Sequence, residues 1–280
     1  MKRPTLALLF GLLFAPLAEA ADIKDHQGLQ LIVAQLQAHQ RITPEFIGSI
    51  RPQAERGDKG AVFAMALAYV FDRGIPRDEA ESVRWVERAW RAGDIDATYT
   101  VGMMYKNGEL YPKDAEKSYL WISRAMEMGS ADARYFVAMA KEKGLGIAVD
   151  TPSALALYQE GASKGHPLSL MRMGYLHREG RLLAKDSKKA FQYWTKGAET
   201  GDAYLQTTLG FCYLRQPEFF PTAYPEMPKD DVEAYKWLTL AAVGGNSQAL
   251  KLREMAERRM SSAEIARARD MAANFKPSSK

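Results

Sequence analysis

Residues 93–128 read GDIDATYTVGMMYKNGELYPKDAEKSYLWISRAMEM, and the slots of this stretch return every 36 residues along the chain. The opening glycine recurs as Gly57, Gly93, Gly129, Gly165 and Gly201, and again as Gly245 after 44 residues. Nine positions beyond each of the first five stands a small residue, Ala66, Gly102, Ala138, Gly174 or Gly210. Apolar Met65, Val101, Val137, Met173 or Leu209 precedes it. Asp78, Asp114, Asp150, Asp186 and Asp230 follow, the last displaced by the same eight residues as Gly245. Seven residues after each aspartate comes Trp85, Trp121, Leu157, Tyr193 or Trp237, and small pairs such as Gly161-Ala162, Gly197-Ala198 and Ala241-Ala242 close the units. A register kept over so many slots marks a repeat architecture.

Each unit reads as two helices. Gly-Asp at 57–58, 93–94 and 201–202 puts a carboxylate where it can accept from the unpaired amides of a first helical turn, and Ser130, His166 and Asn246 hold that slot elsewhere. Gly108, Gly144 and Gly180 supply a left-handed residue that ends the first helix, with Asp72 in the same slot of the first unit. The recurring aspartate starts the second helix. Glu81 and Glu233, three residues after Asp78 and Asp230, are placed as capping-box partners. Neither helix can bury its apolar face alone, so neighbouring units must stack.

The order Gly-Asp, apolar-small, a tyrosine as at Tyr69, Tyr105 and Tyr213, then Asp, Trp and a small pair resembles the Sel1-like repeat, a relative of the tetratricopeptide repeat. The resemblance covers nearly the whole chain after residue 20 and implies an all-α fold, a right-handed α-solenoid of Sel1-like, TPR-like helix-turn-helix repeats. Lys141 and His177 depart from the tyrosine slot and Leu157 from the aromatic one, so those units are expected to pack more loosely.

Five repeats are read at 57–92, 93–128, 129–164, 165–200 and 201–244. Residues 21–56 form a degenerate opening repeat, with Leu29 and Val33 in core slots and Thr43-Pro44 as cap and first helical residue. Residues 245–280 are expected to close the stack with helices over Ser247 to Arg259 and about Ser262 to Asn274, before Pro277 to Lys280 fray. Ahead of all this, Lys2 and Arg3, the apolar run Leu6 to Leu17 and Ala18-Glu19-Ala20 have the order of a secretory signal peptide, residues 1–20. That run is shorter than the ~20 residues a spanning helix needs, and no membrane span is expected elsewhere. The reading is of a chain exported to the periplasm or secreted.

Helical spacing splits the first helix of each unit into two stripes. Offsets 4, 8 and 11 from the unit glycine, such as Ala97, Val101 and Met104, suit packing between helices. Cys212 falls at offset 11 and reads as a buried thiol. By the resemblance, the other stripe, offsets 3, 6, 10, 13 and 14, faces a concave groove. Offset 6 carries Phe63, Tyr99, Tyr135, Met171 and Thr207, and offset 10 carries Leu67, Met103, Met139, Tyr175 and Phe211. Around them stand Asp96, Asp132, Lys106, Lys143, Arg178 and Arg215, charges of both signs. Aromatic and methionine side chains are common anchors of a partner peptide or helix. The alternative is that these positions pack within their own unit. Between Leu214 and Asp230 an eight-residue insertion near 216–228 brings Phe219, Phe220 and Tyr224 with four prolines, which rules out a regular helix or central strand. This loop either plugs an edge of the stack or meets a partner.

The remaining features exclude more than they select. One cysteine leaves no internal disulfide, and 38 basic against 34 acidic residues, a formal +4, form no polybasic stripe for nucleic acid. His26, His39, His166 and His177 are scattered and make no zinc pair, with His166 read as a capping substitute; no metal or other cofactor is expected. Sel1-like relatives include exported penicillin-binding or β-lactamase-like proteins, which keeps an enzyme or binding protein for peptidoglycan or β-lactams as the alternative. Ser-x-x-Lys, Ser-Asp-Asn and Lys-Thr-Gly motifs are all missing from the chain. The favoured expectation is a non-enzymatic periplasmic scaffold or adaptor holding another envelope protein in its groove.

Overall fold

The computed structural model describes residues 42–70, 75–108, 111–215 and 229–278. The expected leader, the core slots Leu29 and Val33, Asp72, and the insertion with Phe219, Phe220 and Tyr224 lie outside the described residues. Among the described residues every regular element is an α-helix: α1 (Pro44–Glu55), α2 (Lys59–Val70), α3 (Glu79–Arg91), α4 (Ile95–Asn107), α5 (Ala115–Glu127), α6 (Ala131–Lys143), α7 (Thr151–Ser163), α8 (Pro167–Glu179), α9 (Ser187–Glu199), α10 (Ala203–Leu214), α11 (Asp231–Val243), α12 (Ser247–Glu257) and α13 (Ser262–Ala273). None is long and apolar enough to cross a membrane. The described residues form two compact units, divided between Asp150 and Thr151. Their boundary falls between the two helices of the third repeat, the repeat in which Lys141 and Leu157 replace the usual tyrosine and aromatic residue.

Each hairpin is pinned by the backbone of its aspartate, and in four of the five the carboxylate is seen to cap the second helix as well. The backbone N–H of Asp78, Asp114, Asp150 and Asp186 donates to the carbonyl nine residues earlier, on Tyr69, Tyr105, Lys141 and His177, at 2.8–3.0 Å. Across the insertion, Asp230 makes the same bond to Tyr213 at 3.3 Å. The carboxylates of Asp78, Asp114, Asp186 and Asp230 then accept from the amides of Glu81, Lys117, Lys189 and Glu233 at 2.9–3.0 Å, capping α3, α5, α9 and α11. This arrangement corrects the capping-box expectation for Glu81 and Glu233. With the aspartate N–H already spent on the earlier carbonyl, Glu81 binds Arg84 and Glu233 binds Lys236 instead. A complete box occurs at Ser261 and Glu264, opening α13.

The closing turns follow the sequence reading. Gly57, Gly93, Gly129, Gly165, Gly201 and Gly245 all sit at φ between 77° and 103°, where a Cβ is strained. Asp58, Asp94, Ser130, Asp202 and Asn246 then cap the next first helix through their side chains. His166 occupies the same slot without capping the backbone; its Nδ1 meets Ser169 Oγ at 3.0 Å. In the fifth repeat the left-handed end of the first helix is Arg215, at φ 48°.

The small slot marks where helices touch. A Cβ on Gly102 would overlap Ile122, one on Gly174 would overlap the Trp194 indole, and one on Gly210 would overlap Leu238. Every overlapping residue lies on the second helix of the same repeat, so the missing side chain is what lets the hairpin close. In unit 1 the core runs from Ile42 through α2 to Val86, Val101, Met104 and Trp121. In unit 2 Leu214, Tyr235, Leu238, Leu252 and Ala268 join α10 to the closing helices.

Each of the three departures from the repeat pattern has a local counterpart. Tyr158 and Trp194, one residue past the expected aromatic slots at Leu157 and Tyr193, are the ones fully buried. His177 is 8% exposed, stacks on Tyr193 at 5.7 Å and meets the Ala184 carbonyl at 3.3 Å, so the fourth repeat is not loosened by losing its tyrosine. Lys141 reaches Asp150 at 3.1 Å. The expected fraying of Pro277 to Lys280 is also corrected in part: the Ser278 N–H donates to the Glu199 carbonyl at 2.8 Å and Pro277 lies on Gly201.

Replacing Gly174 with valine is therefore expected to destabilise the fold by about 1–3 kcal/mol through overpacking against Trp194. Asp114→Ala is expected to cost about 1 kcal/mol through the lost cap. Urea unfolding followed by circular dichroism reads both, and Gly174→Val should be the more damaging.

Candidate interaction surface

The stripe read at offsets 6 and 10 divides by position. Phe63 and Leu67 are 3% and 1% exposed and belong to the core, because α2 is buried almost along its whole length. They are corrected from surface anchors to packing residues. Tyr99, Met103, Tyr135 and Met139 are half-buried on α4 and α6. The structure brings two of them together through a residue outside both predicted stripes, Phe136, at offset 7. Its ring stands 6.1 Å from that of Tyr99 and 5.3 Å, edge-on, from that of Tyr135. The Lys106 ammonium lies 4.7 Å from the Phe136 centroid. Burial, with the Asp132 carboxylate nearby, raises the Tyr99 phenol well above its ordinary range, so it remains a neutral hydroxyl at any physiological pH.

In unit 2 Met171 and Tyr175 on α8 and Phe211 on α10 are half-buried, while Thr207 is buried and donates its hydroxyl to the Ala203 carbonyl at 2.8 Å. Tyr175 shares a hydrogen bond of 2.8 Å with Tyr204 of α10, an exposed residue at offset 3 of the same stripe. The edge of Trp194 lies 5.5 Å from the Tyr175 ring and the Arg178 guanidinium 4.6 Å from it. Each unit thus carries its own patch of aromatic and methionine side chains, flanked by a cation. Apolar faces of this kind, partly wet and partly packed, are what protein recognition draws on.

The tyrosine slot does structural work instead. Tyr105 stacks on Tyr111 at 4.5 Å and donates to Glu79 at 3.2 Å, and Glu79 also meets Lys117 at 3.6 Å. Tyr111 bonds the Ser82 hydroxyl, whose single proton goes to the Ala66 carbonyl, so Tyr111 is the donor. These bonds tie the first repeat to the second. Among the described residues no group of three or more His, Cys, Asp or Glu could hold a metal ion.

The model of the Sel1 repeat matches residues 61–94, 95–130, 131–166, 167–202 and 223–246. The chain belongs to the Sel1 repeat family. Among solved structures it is similar to a protective antigen of uropathogenic Escherichia coli strains displaying an SLR fold, at 22% identity and a TM-score of 0.59, over 81% of this chain and 48% of that one. It is also similar to a Sel1 repeat protein from Oxalobacter formigenes, at 27% identity and a TM-score of 0.57, over 75% of this chain and 59% of that one. The chain therefore spans about half to three fifths of these relatives. No curated protein matches it. As a Sel1 repeat protein it has an all-α scaffold consistent with protein–protein interaction.

Cys212 is 3% exposed beside this surface, and burial pushes its thiol up to about 12. The thiolate is the reactive form. Iodoacetamide at pH 8 is therefore expected to leave Cys212 unmodified in the folded Sel1 repeat protein and to alkylate it fully in 8 M urea, read by mass spectrometry.

Proposed function

We propose that this Sel1 repeat protein is an exported, periplasmic scaffold or adaptor, regulatory in role, that holds another protein of the cell envelope against the half-buried side chains of its first helices. The observation that carries the reading is the cluster of Tyr99, Tyr135 and Phe136, with Met103 and Met139 on the same two helices, left half-open beside the closed core. Fully burying one such side chain under a partner is worth roughly 1.5–3 kcal/mol. Asp132 and Lys106 beside the cluster offer charges that orient what docks there. Met171, Tyr175 and Phe211 extend the same kind of contact in unit 2. Export rests on the leader-like order of residues 1–20, and an envelope partner follows from that compartment.

The quadruple substitution of Tyr99, Met103, Tyr135 and Met139 by alanine is expected to abolish recovery of the cross-linked periplasmic partner while the helical circular dichroism spectrum persists. Full recovery with an intact fold would place the surface elsewhere. Mass spectrometry of the chain from a periplasmic extract should show a start at Ala21; a chain still beginning at Met1 in the cytoplasm would overturn export. Hydrolysis of a β-lactam or of peptidoglycan by the purified protein, lost on one point change, would replace the scaffold reading by an enzymatic one.

A further inference from the structure

Unit 1 contains a cavity of about 430 Å³ bounded by three helices of two successive repeats. Its walls come from Ala115, Ser118 and Ile122 of α5 and from Phe136, Val137, Met139 and Ala140 of α6, closed by Leu145 in the turn after α6. Its size is that of a small-ligand site rather than of a flat protein epitope, for which ~300–1,000 Å³ is usual. The polar groups are few and of one sign. Lys106, half-buried at the end of α4, and Lys113, exposed before α5, contribute ammonium groups, and Asn107 and Tyr119 contribute an amide and a hydroxyl. No carboxylate stands among its described lining residues. The walls are therefore largely apolar, and the charged groups among the described lining residues are both cations.

A wider cavity in unit 2, about 870 Å³ between α7 and α9, lacks this polarity of design. It is lined by Lys189, Lys196, Glu199 and the amides of Gln159 and Gln192, and it selects neither charge.

We propose that the unit 1 cavity is a binding site for a small, monomeric anionic amphiphile: a hydrocarbon body seated among Ile122, Phe136, Met139 and Leu145, and a carboxylate or similar head held by Lys106 and Lys113. An apolar body leaves water for apolar walls, and the head keeps its charge beside two cations instead of being desolvated alone. A cationic amphiphile of the same length gains the first term and loses the second. The cavity shares Phe136, Met139 and Lys106 with the proposed partner surface, whereas Tyr99 and Tyr135 do not line it.

The test uses the full chain and 1-anilinonaphthalene-8-sulfonate, an anionic aromatic probe whose fluorescence rises in an apolar site, displaced by decanoate or by decyltrimethylammonium. Decanoate below its micellar concentration is expected to displace the probe and decyltrimethylammonium to fail. Lys106→Gln with Lys113→Gln should weaken decanoate by about fivefold to tenfold, the effect of two partly exposed ion pairs. Ala140→Phe and Ala115→Phe, at a buried and an exposed position of the wall, should each abolish displaceable binding with the melting curve retained. Equal displacement by the cation, or undiminished binding in Ala115→Phe, overturns the proposal. Binding to phosphatidylglycerol vesicles without displacement by monomeric decanoate would assign the charge to a membrane surface and overturn it as well. Tyr99→Ala with Tyr135→Ala leaves decanoate binding unchanged here, so failure of the partner surface and failure of this site are read apart.

Discussion

One backbone hydrogen bond recurs at every hairpin and the rest of the architecture hangs from it. The aspartate that begins each second helix gives its N–H to a carbonyl near the end of the first helix, and where a second-helix cap is seen its carboxylate takes the first free amide of that helix. A single residue thereby satisfies groups from two helix ends, which otherwise would need water or separate caps. Nine residues is the span that brings that N–H and carbonyl together, and the same bond survives the eight-residue insertion between Tyr213 and Asp230. Inserting there costs little because the loop is closed by the same bond at its base.

With the hairpin closed in this way, the small slot sets how near its helices come. Gly102, Gly174 and Gly210 admit Ile122, Trp194 and Leu238 into the space a side chain would fill. Close approach buries the offset 4, 8 and 11 residues completely, and it tips the adjacent stripe toward solvent. The half-buried state of Tyr99, Tyr135 and Tyr175 is thus a by-product of core packing: they rest on the closed helix pair and are not enclosed by it. The cavity behind Phe136 has the same origin, since Ala115, Ser118 and Ala140 are too small to fill the space where three helices meet.

The scaffold was largely legible because its determinants are local. Helix caps, left-handed glycines and a 36-residue period depend on residues close in sequence, and they placed Gly93, Asp94, Gly108 and Asp114 in the roles they hold. The candidate surface was legible only in part. Helical spacing assigns a residue to a face but does not say what covers that face, so Phe63 and Leu67 looked like their counterparts Tyr99 and Met103. Phe136 was missed because offset 7 lies between the two stripes, where a half-turn of side-chain rotamer decides which neighbour it meets. Glu81 and Glu233 misled for a different reason: a capping box needs a free N-cap amide, and that amide had a distant partner.

What the sequence determined by itself is the repeat: its period, its helix ends, its family and the residues that must be small or buried, all governed by steric and hydrogen-bonding rules acting over a few turns of chain. Only the tertiary structure decided which of those apolar residues stay partly open, which of two neighbouring aromatics enters the core, as with Trp194 over Tyr193, and where packing leaves a cavity edged by lysines. Those outcomes depend on how several helices share one volume, and volume is shared among residues that the chain keeps far apart.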